Sequence, residues 1–335
     1  MTRLRTKAFV IPRLLPCFVA GLISIAASNQ ACSDWNPAKN VELISSTTPG
    51  SGPDLTARII QTILRAKKIL DVPMSVVNKP GGNYATAWAY LNQHGGDGHY
   101  LLIASVGLLT GNPPGAEAIL AADASMIAHL FSEYMVLAVR ADSPLKTGRD
   151  VAMQLAKDPR SLSIAIGGGP GGVNHLAIAT AMKAAGVTVK QLKLVAFNSS
   201  ADAMVAALGG HVDVVAATAT ALLHARSGGL RVLAISSPHR SAGKFANVPT
   251  WREQGIETVF DNSRFVLGPH RMPREQIVYW EARFAELAAT DEWKNNLAAN
   301  DWKTAYMNGA ATKTFVAAQF MHLQAILAEL GVARN

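Results

Sequence analysis

Two Gly-rich turns carry the residues best placed for chemistry, each lying between an apolar strand and an amphipathic helix. The first, Thr48-Pro-Gly-Ser-Gly-Pro-Asp54, presents Thr47, Thr48, Gly50, Ser51 and Asp54; the second, Asn78-Lys-Pro-Gly-Gly-Asn83, presents Gly81, Gly82 and Asn83. Backbone N–H groups at such a turn, with the positive end of the helix behind them, attract anions. Turns of this kind gather at the carboxyl edge of a parallel sheet, where open α/β proteins bind small ligands. No Lys or Arg lies within 48–54, and Lys79 alone lies within 78–83. The chemistry indicated is capture of a small anion by backbone. Turn formation alone also favours Asn and Thr at these places, and Asp54 is well placed to cap a helix.

A third turn, Gly167-Gly-Gly-Pro-Gly-Gly172, joins a strand to a helix that starts near Asn174 and His175. Gly167, Gly169 and Gly172 fit G-x-G-x-x-G, the dinucleotide spacing. No acid follows at the distance a ribose hydroxyl needs; the chain there reads Val187-Thr-Val-Lys-Gln-Leu192, and Pro170 interrupts the loop. A small-anion loop and a plain tight turn both remain open. His175 suits orienting that loop, facing a ligand, or a structural role. Asn198 and Ser200, in the turn after the next strand, and Thr218, at a later strand end, complete the candidates.

Signatures of catalysis are missing. Ser143-x-x-Lys146 and Lys146-Thr-Gly148 overlap and share one lysine, whereas serine acylating enzymes carry these motifs far apart. Ser241-x-x-Lys244 is an isolated match. There is no G-x-S-x-G, no Walker A and no H-E-x-x-H. The nine histidines are scattered, without metal-ligand spacing. The expectation is no catalytic residue, no cofactor and no metal.

The elements behind these turns read as alternating strands and helices. Strands are expected at 41–44, 74–77, 101–105, 135–140, 162–166, 192–197, 212–216, 230–236 and 265–269. Helices are expected from Asp54 to about Leu70, then at 85–93, 148–156, 174–185, 201–208, 219–226, 274–289, 291–299 and 313–330. The rhythm implies an α/β fold with a second parallel sheet, the strand at 265–269 returning to the first. Residues 1–31 stand apart. Arg3, Arg5, Lys7 and Arg13 precede an apolar run from Leu14 to Ala27, then small residues up to Ala31. This order is that of a secretory signal peptide cleaved between Ser28 and Ala31; the alternative is a lipoprotein acylated at Cys32. Removing it leaves 27 basic against 23 acidic residues, a charge of +4. That balance, without a basic run interleaved by aromatics, excludes a nucleic-acid footprint. Cys32 alone cannot form an internal disulfide.

In order and spacing these residues resemble the extracytoplasmic solute receptors of tripartite tricarboxylate transporters, the Bug family. The likeness covers nearly all of the chain after residue 31. It rests on Pro49-Gly-Ser-Gly-Pro-Asp54-Leu-Thr-Ala-Arg58, Asn78-Lys-Pro-Gly-Gly-Asn83, Asp97-Gly-His-Tyr100, Gly167 through His175-Leu-Ala, Leu208-Gly-Gly-x-Val-Asp213, Leu230-Arg-Val-Leu-Ala-Ile-Ser236 and Asn247-Val-Pro-Thr250. The resemblance implies a type II periplasmic-binding-protein fold: two α/β lobes, two crossovers and a ligand cleft between. It implies lobe 1 at 32–137 plus 265–335 and lobe 2 at 138–264. The first two turns would hold a carboxylate, with Gly169–Asn174 and Asn198–Ala201 facing it from lobe 2. It also implies a periplasmic, monomeric receptor that delivers its ligand to a membrane permease. A sensor on the same scaffold and a periplasmic enzyme using the 167–172 loop are the alternatives. Three departures stand out: Ser45-Ser46-Thr47 replaces Val-Pro-Phe, the second turn is shorter by two residues, and Gly171 replaces a hydroxyl residue.

Overall fold

The structure is a computed structural model that describes residues 2, 35–110, 124–224 and 228–331. The expected signal segment and Cys32 lie outside the described residues. All elements below belong to the unit Asp34–Asn335.

The chain opens with β1 (Val41–Ser45), α1 (Gly52–Ala66), β2 (Met74–Asn78), α2 (Ala85–Asn92), β3 (Tyr100–Ser105) and α3 (Val106–Thr110). β1 lies between β2 and β3 and is parallel to both. Helices cover both faces of such a sheet, so β1 and β3 are almost continuously buried, and apolar apart from Glu42 and the terminal Ser45, Tyr100 and Ser105. α1 begins with Pro53 and Asp54 in its first turn, residues that suit a helix start. It buries Ala57, Ile60, Ile63 and Leu64.

β4 (Ser125–Arg140) then runs for 16 residues, buried from Met126 to Val139. It is the spine of the molecule. Ser125–Tyr134 pair with a returning strand, whereas Met135–Arg140 pair with strands of the second lobe. That lobe follows as α4 (Gly148–Lys157), β5 (Ser163–Gly167), α5 (Val173–Ala184), β6 (Lys193–Phe197), α6 (Ser200–Leu208), β7 (Val214–Thr218), α7 (Ala219–His224) and β8 (Leu230–Ile235). β5 is parallel to β6 and β7, but β4 runs antiparallel to β7 and β8. The second sheet is therefore mixed, not purely parallel.

The return strand β9 (Asp261–Gly268) inserts antiparallel between β3 and β4. It begins four residues earlier than the sequence indicated, because its first half is polar yet buried. α8 (Arg274–Ala289), α9 (Asp291–Ala299), β10 (Lys303–Asn308) and α10 (Gly309–Leu330) close the chain. β10, not anticipated from sequence, pairs antiparallel with β4. α10 starts at Gly309 rather than 313 because the Asn308 side chain caps it through Ala311 N–H. The fold is thus two α/β lobes joined by two crossovers, β4 outward and the segment before β9 back. Ser236 ties them together: its Oγ accepts from Met135 N–H at 2.9 Å and donates to Phe260 O at 2.6 Å.

One apolar core lies behind lobe 1, where Phe131 stacks on Trp302 at 3.9 Å beside Trp280, Phe284 and Trp293. A second runs through both lobes and takes in Tyr84 and Trp88, Leu176 and Met182, and Val316 and Leu323 of α10. No helix among the described residues is long and apolar enough to cross a membrane.

Candidate functional site

The carboxyl ends of β1, β2 and β3 form one edge of lobe 1, those of β5, β6 and β7 one edge of lobe 2, and the candidate residues lie on these edges. In the first turn Thr47 Oγ1 lies 3.1 Å from Ser45 Oγ, and Thr48 O accepts from Ser51 N–H. Gly50 has φ +85, a left-handed conformation that glycine adopts freely. Ser51 is the N-cap residue of α1, but its side chain makes no cap bond. The sequence left Asp54 between ligand contact and helix cap; the structure gives its buried carboxylate a tying role. It accepts from Gly50 N–H at 2.8 Å, Arg58 Nε at 2.9 Å and Asn78 Nδ2 at 2.9 Å. Burial is the largest influence on its pKa and pushes it up; the bonds from Arg58, Gly50 and Asn78 outweigh that and leave it below the usual value. Asn78 also donates to Thr47 O at 2.8 Å, so one side chain holds the two turns together.

The second turn ends in a run of left-handed residues. Gly81, Gly82, Asn83 and Tyr84 have φ of +120, +58, +48 and +80. Among the described residues nothing accepts from the N–H groups of Gly81, Gly82 or Asn83. Lys79 points away: its Nζ sits 3.9 Å above the Tyr90 ring.

In lobe 2, Gly167 is glycine for close approach. A Cβ there would lie 2.6 Å from Ser199 C and Ser200 Cα. Asn174 Nδ2 donates to Gly167 O at 2.7 Å and Ser200 Oγ at 3.1 Å, which joins two turns. Gly171 N–H donates to His175 Nδ1 at 2.9 Å. That bond requires Nδ1 to be unprotonated, and burial lowers the His175 pKa to about 4. His175 is therefore a neutral loop-orienting residue. Gly169 has open space where a Cβ would be, Asn198 is exposed, and Thr218 Oγ1 caps α7 through Ala221 N–H at 3.1 Å. Lobe 1 and lobe 2 candidates meet at one point: a Cβ on Gly172 would lie 3.4 Å from Asn83 Oδ1. Asn174 Oδ1 and Ser46 Oγ, both buried, have no partner among the described residues.

Capping divides the helices. α4, α6, α7, α9 and α10 receive a side-chain cap from Thr147, Ser199, Thr218, Thr290 and Asn308. α1, α2 and α5, which open from the three Gly-rich turns, receive none; α8, which follows Pro273 away from these turns, also lacks one. The starts of α1 and α5 thus keep first-turn donors for something else, whereas at α2 the Ala85 and Thr86 N–H groups donate back to Gly82 O and Gly81 O, and the donors left open are those of the turn itself.

Sequence reasoning missed the buried ion pair beneath the first turn. Arg264 Nη2 and Glu133 Oε1 are in contact, with side chains 3% and 1% exposed. Glu133 also accepts from Asn262 Nδ2 at 3.0 Å and, on Oε2, from Thr220 Oγ1 of α7 at 2.7 Å; Trp302 Nε1 donates to Thr220 Oγ1 at 2.6 Å. A Cβ on Gly52 would lie 3.4 Å from Arg264 Nη2, so the pair abuts the start of α1. No signal in the sequence pointed to it, because Glu133 and Arg264 both fall outside the strands expected at 135–140 and 265–269. The chance motif around Ser143 and Lys146 resolves as a helix start, with a capping box between Thr147 and Asp150. No cluster of three metal-ligating side chains occurs among the described residues.

Two α/β lobes joined by two crossovers make this the type II periplasmic-binding-protein fold. The model of the tripartite tricarboxylate transporter family receptor matches residues 56–332, and the chain belongs to that family. It is 27% identical over 336 residues to a Cupriavidus necator protein, "UPF0065 protein in gbd 5'region", covering 99% of each. Similar solved structures include the periplasmic binding protein BugD (TM-score 0.77, 20% identity, 89% of this chain and 100% of that one). MatC from Rhodopseudomonas palustris, solved with malate, matches with a TM-score of 0.74 at 19% identity over 87% and 99%. An R. palustris protein solved with adipate matches at 0.77 and 20% over 88% and 98%.

Proposed function

We propose that this chain is an extracytoplasmic receptor that captures a small carboxylate between its lobes and delivers it to a membrane permease, without catalysing a reaction. The observation that carries the reading is the set of uncapped helix starts at the three Gly-rich turns. Each turn and helix start together supply N–H donors and the positive end of a helix at a ligand-binding edge. Family membership supports it, as do the relatives solved with malate and adipate.

One carboxylate would sit against the N–H groups of Gly52, Gly81, Gly82 and Asn83, with Thr47, Thr48 and Ser51 hydroxyls beside it. Gly169, Asn174, Asn198, Ser200 and Thr218 would face its other end. The lobes would divide near 137 and 265 and close about the two crossovers. The protein would act as a periplasmic monomer after loss of residues 1–31. A thermal-shift screen of carboxylates against their neutral amides tests the reading. A ligand at 100 times its Kd adds about 2.7 kcal/mol and raises the melting temperature visibly. Equal shifts from acid and amide would sink the anion site.

A further inference from the structure

The second turn ends in an unusual way. After two glycines, Asn83 and then Tyr84 continue at positive φ, which for a bulky residue such as Tyr84 costs about 1–2 kcal/mol. A conformation of that kind persists where its surroundings over-determine it. Here the Tyr84 side chain is buried and its hydroxyl lies 2.7 Å from Ser105 Oγ, itself buried at the end of β3. Ser105 Oγ also accepts from Gly107 N–H at 3.3 Å. The Tyr84 ring covers Gly107: a Cβ there would lie 3.1 Å from Tyr84 Cε2 and 3.0 Å from Val173 Cγ2. Val173 is the first residue of α5, in the other lobe. Tyr84, Gly107 and Val173 therefore share one seam without room for a further methyl group. Beside it, Asn83 faces Gly172 across the same boundary.

We propose that Tyr84 is a positioning residue for the second turn, and that Tyr84 and Gly107 form the seat on which Val173 lands when the cleft closes over its ligand. The proposal rests on the receptor reading above. One side chain fixes the Gly81–Asn83 turn and also meets lobe 2. The conformation that offers N–H groups to a carboxylate is therefore the one that receives the opposite lobe. A ligand engaging the turn favours the seated arrangement, because it binds that arrangement better.

The test is Gly107→Ala, with malate and adipate as probes in calorimetry and stopped-flow binding. Gly107→Ala is expected to weaken the better probe at least tenfold, mainly through faster dissociation, while the ligand-free melting temperature stays near wild type. Val173→Ala in the Gly107→Ala background should recover most of the affinity by removing the clashing methyl. Tyr84→Phe, which loses only the bond to Ser105, should speed dissociation several-fold. Wild-type affinity in Gly107→Ala overturns the seat and leaves the receptor reading standing. A fall in ligand-free melting temperature that Val173→Ala fails to rescue marks fixed core packing and also overturns it. If the wild-type protein binds neither these probes nor any carboxylate of the screen, the receptor reading fails and the seat with it.

Discussion

Lys79 and Gly82 lie in the same turn and should respond to substitution in opposite ways. The Lys79 ammonium is engaged with the Tyr90 ring. Lys79→Ala should therefore lose about 0.5–1 kcal/mol of stability and change carboxylate affinity by less than about threefold. Gly82 has φ +58, and a Cβ there would lie 2.8 Å from Ala85 Cβ. Gly82→Val should abolish measurable binding in the same calorimetric titration. The reverse pattern would mean that a side-chain salt bridge holds the anion. His175 supplies a pH dependence. Its pKa is lowered by burial from 6.5 to about 4, so between those values the unfolded chain binds a proton that the folded chain does not. Its contribution is fully present above pH 6.5 and fades as pH falls to about 4. The loss amounts to about 3 kcal/mol. His175→Gln, which keeps an acceptor for Gly171 N–H, should flatten the fall in melting temperature across that window. An unchanged slope would show that another group titrates.

At the scale of elements, the ion pair where β4 and β9 meet invites a direct test. Glu133→Gln leaves the Arg264 charge buried without its counter-ion, and removing one partner of such a pair costs about 3–5 kcal/mol. Urea unfolding should show that loss, and Glu133→Gln combined with Arg264→Met should recover most of it. A cost under about 1 kcal/mol for the single variant would mean that the pair contributes little. These two residues also show what the sequence hid. The Gly-rich turns were legible because positive φ and close approach impose glycine locally, and the strand–turn–helix order followed from short-range patterning. The first half of β4, Ser125–Tyr134, was not legible. It carries Ser125, His129, Ser132 and Glu133, polar residues that only tertiary partners satisfy: His129 Nδ1 pairs with Ala305 O, Glu133 with Arg264. β10 was hidden because its residues are exposed or half-buried and alternate weakly. Tyr84 escaped notice because nothing local signals a left-handed tyrosine; its reason is Ser105, at the end of a different strand.

For the whole molecule, the place of β9 has a consequence for how the protein comes into being. Ser105 at the end of β3 waits for Arg264, and Ser125 on β4 waits for Gly268, whereas β5, β6 and β7 find one another within a short stretch. Local pairings form before distant ones because shorter loops close at lower entropic cost. During refolding, amides of β5–β7 should become protected from hydrogen exchange before those of β3 and β9, and the opposite order would contradict this. A growing chain that has not yet reached Asp261 carries β3 and the first half of β4 with open edges, the kind of surface that recruits other chains. A polypeptide stopped short of β9 should therefore precipitate rather than persist as a usable half-receptor. The last quarter of the chain, which supplies few of the candidate site residues, thus decides whether β3 and the first half of β4, in its second quarter, find their partner.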